Sequence, residues 1–318
     1  MNSKHHGEDE GGTGFSIADR ASKVDVGDFA SLPGDLSWYP NLSLMIPHIL
    51  RGKDLDELSS KVVEARRHDR QVIIMMGAHV VKCGIGPLVC EVVKQGMVTG
   101  IAMNGACAIH DVEIAMWGKT SEDVVAGLER GSFGMVEETS AILNGAARYS
   151  LDKGVGFGEA LGKALDSQDT PNGDVSIICQ AHLARIPLTI HVAIGTDIVH
   201  QHDEADGRAI GYATMQDFRR FTSLVCGLHH GVLMNLGSAV IMPEVFLKAL
   251  AVARNKGIDL GDFTTANFDM IRHYRPTMNI VERPESIGAT GYSFLGNHEI
   301  LLPVFFAAVL FKASPSGT

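Results

Sequence analysis

The chain lacks any run of 18 or more uncharged apolar residues, so no membrane-spanning helix is expected. Its opening stretch, MNSKHHGEDEGGTG, has no apolar core of the kind a secretory signal carries. The five cysteines (Cys83, Cys90, Cys107, Cys179 and Cys226) form no C-x-x-C pair and stand in apolar surroundings. That argues for reduced thiols and a cytoplasmic location. Basic clusters are missing too: 27 Lys and Arg face 37 Asp and Glu, a net charge of −10, which excludes nucleic acid as an expected partner. No G-x-S-x-G elbow, H-E-x-x-H helix or cysteine–histidine zinc spacing occurs, and there is no internal repeat.

What is present centres on residues 71–111, QVIIMMGAHVVKCGIGPLVCEVVKQGMVTGIAMNGACAIHD. An apolar run over Val72–Met76 is too short for a helix. A turn at Gly77 follows, then Gly84, Gly86 and Pro87. Leu88, Val89, Val92 and Val93 recur at helical spacing up to Gly96, and residues 98–103 form a second apolar run ending at Asn104-Gly105-Ala106. Strand, glycine turn, helix and strand make a βαβ unit. Both runs are continuous rather than alternating, as in parallel strands covered on both faces.

The remaining chain repeats the alternation. Residues 1–30 are acidic and glycine-rich and are expected to form a flexible tail; residues 31–318, 45% of the whole being hydrophobic, suffice for a single α/β domain. Residues 38–50, broken by Pro40 and Pro47, should lie over the core. Helices are expected over 54–67, 108–116, 133–147, 174–185, 215–228, 244–255 and 298–311. Thr120-Ser121-Glu122-Asp123 reads as a helix start, residues 153–162 are glycine-rich, and 272–296 reads as irregular. Further strands are expected over 188–194, 231–236 and 263–268. The fold class is α/β, a Rossmann-like, mainly parallel sheet with helices on both faces.

In such a sheet ligands bind at the carboxyl ends of the strands. Those ends carry Gly77 to Gly86, Asn104 to Asp111, Gly195 to Asp203, Gly237-Ser238 and Asp269. A dinucleotide needs small residues and helix N-termini for its pyrophosphate and a carboxylate for its ribose. Gly77, Gly84, Asn104, Gly105, Ala106, Asp111, Thr196, Asp197, Gly237, Ser238 and Asp269 are the candidates. His200, His202 and Asp203 are candidate catalytic groups, a histidine serving as acid or base beside carboxylates that hold a cationic or polyhydroxylated substrate. The same His200 and His202 with Asp197 suit a metal, against which stand imidazoles bonded to backbone or ligand. His79, His110 and His298 could come close to them. Cys83, beside Lys82 and ahead of a helix, is either an activated thiol or a buried structural one.

The order of these segments resembles deoxyhypusine synthase. Residues 77–84 look like that family's first nucleotide loop, and residues 103–111 like its second strand end. Ile186-Pro187 with Gly195-Thr196-Asp197 is similar to its IPVFSPALTDG element, residues 231–239 to its GMIILGGG strand, and residues 264–269 to its NTAQEFDG strand. The resemblance covers roughly residues 70–312 and implies a Rossmann-like scaffold, NAD as cofactor and a homotetramer. The family's catalytic lysine lies in an AWGKI motif after the NTAQEFDG strand, whereas residues 270–297 here contain no lysine. Trp117-Gly118-Lys119 mimics the motif in the other half of the chain. Lys82, nearer the cofactor loop, is the better substitute. The expected function is an NAD-dependent enzyme acting on an amine or alcohol, not on deoxyhypusine formation. The alternatives are a metal-dependent hydrolase or lyase, and a nucleotide-binding protein without catalysis.

Overall fold

A computed structural model describes residues 14–314 of the chain. Six strands form a parallel sheet: β2 (Val72–Met76), β3 (Gly100–Asn104), β5 (Leu188–His191), β6 (Val232–Leu236), β7 (Thr264–Asp269) and β8 (Thr290–Leu295). They lie in the order β5-β3-β2-β6-β7-β8. Numbered within this sheet alone, that is 3-2-1-4-5-6, the doubly wound order. All five residues of β2 are buried. Val72, Ile74 and Met76 enter one core, and Ile73 and Met75 the other. Side chains of a strand alternate between faces, so an unbroken apolar run is what two covered faces require.

Helices supply both covers. On one side lie Leu50–Arg67, Gly86–Lys94, Gly105–Trp117 and His298–Ala313. On the other lie Ile241–Asn255 and the second half of Gly207–Cys226, which contributes Phe221, Leu224 and Val225. The short helix Tyr39–Met45 meets the helix His298–Ala313 through Tyr39, whose ring centre lies 5.1 Å from that of Phe311, and leaves Leu44 and Met45 exposed rather than over the core. None of the described helices is long and apolar enough to cross a membrane.

Two expectations change. The segment read as a helix start at Thr120 is strand β4 (Lys119–Glu122), paired antiparallel with β1 (Ser22–Asp25). Only Asp123 caps a helix, accepting from Ala126 N at 3.0 Å. The polar capping residues gave a helix signal, while strand pairing with a distant segment decided the backbone. The stretch read as irregular ends in β8, an edge strand with Tyr292 and Phe294 buried between more open neighbours. Its one-sided pattern is short, but Phe294 stacks on Phe268 at 4.7 Å and fixes it to the sheet.

Of the expected flexible tail, residues 1–13 lie outside the described residues. From residue 14 onward the chain is anchored. Arg20 forms a two-pronged pair with Glu113 at 2.7 and 2.8 Å, with both side chains almost wholly buried. Glu113 also accepts from Thr120 Oγ1 at 2.5 Å and Thr139 Oγ1 at 2.9 Å. A buried pair broken on one side leaves an uncompensated charge. Arg20→Ala should therefore lower stability by about 3–5 kcal/mol, read by urea unfolding; a loss below about 1 kcal/mol, the range of an exposed pair, would contradict this.

Candidate functional site

The chain turns to one side of the sheet after β2 and to the other after β6, so the crevice of a doubly wound sheet opens between their ends. Gly77 and Gly237 line it. A Cβ on Gly77 would stand 2.5 Å from the Gly237 carbonyl oxygen, so its floor is backbone against backbone. Gly237 takes φ +64°, a conformation that favours glycine. Ser238 is buried and its Oγ accepts from Met242 N at 3.2 Å, starting the next helix. One strand further, Asp269 is buried at the end of β7. Its Oδ1 accepts from Met270 N at 2.8 Å, and its Oδ2 has no partner among the described residues.

The turn His79–Lys82 divides this crevice from a second space. A cavity of about 170 Å³ beside the end of β3 is lined by Lys82, Ala106, His110, Glu113, Thr196 and Asp197, with Arg20 and Glu122 closing it. His110 Nδ1 lies 2.6 Å from Thr120 Oγ1. Burial pushes the His110 imidazole down to about 4. Burial pushes the Asp197 carboxyl up to about 6. Asn104 caps the helix Gly105–Trp117, accepting from Cys107 N at 2.9 Å, and a side chain on Gly105 would run into the Asp197 carboxylate. This positive helix end therefore holds the protein's own acid.

The other candidates are spread around these two spaces. His200 Nδ1 accepts from Gly195 N at 3.1 Å and Asp197 N at 3.2 Å, so it organises the loop that carries Asp197. Its partial burial lowers its pKa. His202 Nε2 donates to Gly134 O at 2.9 Å, and Asp203 is exposed at the sheet edge beyond β5. Asp111 faces away from the rim and caps the helix Ile177–Leu183, accepting from Ser176 Oγ at 2.6 Å, Ile177 N at 2.9 Å and Ile178 N at 3.0 Å. Gly84, with φ +71°, packs on Phe29, where a Cβ would stand 3.0 Å from the Phe29 Cα. The Cys83 thiol is pushed up to about 11, by burial first and by the Glu299 carboxylate second, so it is not an activated nucleophile.

Sequence reasoning missed Arg20, Glu113 and Glu299. Among the described residues, the group with metal-ligand spacing is His79, Cys83 and Glu299, not His200, His202 and Asp197. The four-residue step from His79 to Cys83 after a strand end was a readable signal for two of the three.

Strand order and crevice place the chain in the doubly wound α/β class. No protein-family model matches it, and no curated protein does. Among solved structures, it is similar to ArgZ, an arginine dihydrolase of the ornithine–ammonia cycle in cyanobacteria. The TM-score is 0.51 at 13% identity, over 82% of this chain and 33% of that one. It is also similar to AgrE in its ternary complex with ornithine and NAD+, with a TM-score of 0.52 at 14% identity and the same coverage, 82% and 33%. The chain thus spans about a third of the length of either. An Entamoeba histolytica protein named as a candidate deoxyhypusine synthase matches over 78% of both chains at 11% identity, with a TM-score of 0.48. At these identities the likeness to ArgZ and AgrE establishes the fold.

The Asp197 carboxyl sets a pH dependence. Its folded pKa lies above the ordinary 3.8, so the folded state binds the extra proton and its stability falls as pH rises from about 4 to about 6. Asp197→Asn should remove on the order of 1–2 kcal/mol of that fall. Parallel wild-type and variant profiles of unfolding free energy against pH would refute the assignment.

Proposed function

We propose that this protein binds NAD(H) in the crevice between β2 and β6 and acts on a small amine or alcohol. It does so on a deoxyhypusine-synthase-like scaffold without being a deoxyhypusine synthase. The observation that carries the reading is the buried Asp269 Oδ2, an acceptor without a donor among the described residues, one strand from the crevice. A ribose diol supplies such a donor, and a floor of bare backbone at Gly77 and Gly237 admits a pyrophosphate. AgrE, of similar fold, was captured in a ternary complex with ornithine, an amine-bearing molecule, and NAD+.

NAD, when bound, supplies a hydride acceptor. The chain's own groups do the rest. The cavity beside β3 is the substrate space, with Asp197 and Glu122 facing a cationic or hydroxyl-bearing group. His110, held neutral by burial, is placed to accept a proton as the substrate is oxidised. His200 acts through Asp197 by holding its backbone amide. Lys82, exposed on the turn that follows β2, is the amine that lines this cavity.

A micromolar affinity should raise stability by about 4 kcal/mol at millimolar NAD(H), seen as a higher melting temperature. Asp269→Asn should weaken binding by roughly tenfold or more, the scale of a hydrogen bond to a charged acceptor. An unshifted melting temperature with the wild type would end the proposal.

Deoxyhypusine formation needs a lysine that holds a butylimine as a covalent imine until the acceptor protein arrives. The interval where the family carries it has none. Lys312 is engaged far from the rim by Asp56 at 2.5 Å and by Ser59 and Ser60 at 2.9 and 2.8 Å. Lys119 opens β4 opposite Asp25. Incubation with NAD, radiolabelled spermidine and the acceptor protein, followed by borohydride, should label neither the acceptor nor Lys82 nor Lys119. Label on any of them would show that the transfer survives.

A further inference from the structure

We propose that His79, Cys83 and Glu299 form a binding site for a thiophilic divalent cation of the zinc class. His79 and Cys83 stand four residues apart across the short turn that follows β2, which puts their side chains on one face. Glu299 comes from the first turn of the helix His298–Ala313, after β8. One ligand atom from each lies within 4.8 Å of the other two. His79 Nε2 and Cys83 Sγ are 3.0 Å apart. Ligand atoms around a tetrahedral zinc stand about 3.5 Å from one another, so the pair has to open by about half an ångström. One imidazole, one thiolate and one carboxylate leave a fourth position for water, and the thiolate selects zinc over magnesium or calcium.

A second observation points to the same place. His298 is 1% exposed, and its ring centre lies 5.3 Å from that of His79. Its Nε2 is 3.2 Å from Phe268 O, which can only accept, so Nε2 carries the proton and Nδ1 the lone pair. That Nδ1 is buried and has no partner among the described residues. A water on the open position of the ion is the donor it lacks, an outer-shell arrangement common to metal centres. Glu299 is exposed, which leaves a path for the ion to enter. The site stands on these four residues and does not depend on nicotinamide binding.

The test is cobalt titration of reduced, metal-free protein. One equivalent should bind, with thiolate-to-cobalt charge-transfer absorption and the ligand-field bands of a four-coordinate ion, and zinc should displace it. Cys83→Ser should lose the charge-transfer band, while Cys179→Ser keeps it. Outer-shell losses already cost about 10–100-fold in affinity, so Glu299→Gln, at an exposed position where the amide oxygen can still accept from Asn297, should weaken binding by at least about tenfold. The proposal is overturned if no stoichiometric uptake occurs, if the charge-transfer band survives in Cys83→Ser, or if Glu299→Gln binds as tightly as wild type. The glutamate variant keeps the test decisive should Cys83→Ser fail to fold.

Discussion

Everything else in the molecule depends on the burial of Val72–Met76 between two parallel neighbours. The strand is flanked by β3 on one side and β6 on the other, and its five side chains fill two separate cores. A strand so placed has no face left for water and no room for ionisable groups. Asn235 on β6 finds its acceptors close by, donating to Asn267 Oδ1 on β7 at 2.7 Å and to Ser238 O at 3.0 Å. Chemistry is thereby displaced to the ends of the strands. The doubly wound order then selects the gap between β2 and β6, because the chain leaves these two strands in opposite directions.

The rim is divided by one short turn. His79 faces the side of Asp269 and His298, and Lys82 lines the cavity with His110 and Asp197. Burial governs both spaces in the same sense, disfavouring charge on whichever group is enclosed. It raises the Asp197 and Cys83 acids and lowers the His110 and His79 bases. A neutral histidine and an acid raised to about 6 line one cavity, a pairing suited to proton transfer, while a half-buried thiol ionises readily only when a cation compensates it.

The cavity exists because the N-terminal segment closes it. Among the described residues Arg20 brings the one positive charge that meets Glu113 directly, and β1 pairs with β4 so that Ser121 and Glu122 form the outer wall. Desolvating two charges is expensive, and here the geometry answers that cost with two guanidinium bonds and two threonine hydroxyls on one carboxylate. The segment looked like a loose acidic tail by composition. It is anchored by contacts with distant segments: Arg20 with Glu113, 93 residues away, Ile17 N with the Glu138 carboxylate, and β1 with β4.

By itself the sequence determined the class of the fold. The unbroken apolar runs at Val72–Met76 and Val232–Leu236, the glycines that close them and the helical spacing between them are local patterns. Local patterns survive because backbone period and burial act over a few residues. The rim was legible as a set of strand ends: Gly77 and Gly237 stand backbone to backbone at the crevice, and Asp269 ends the next strand. What belongs to which space was not. Asp111 and Asp197 are both acids near strand ends, yet one caps a distant helix and the other lines a cavity. His200 and His202 looked like a cluster, yet one ring nitrogen of each is bonded to backbone, while Glu299 reaches His79 and Cys83 across more than 200 residues. Only the tertiary structure decided these, because a side chain's role is set by which groups packing brings within a few ångströms, and that depends on pairings between segments far apart in the chain.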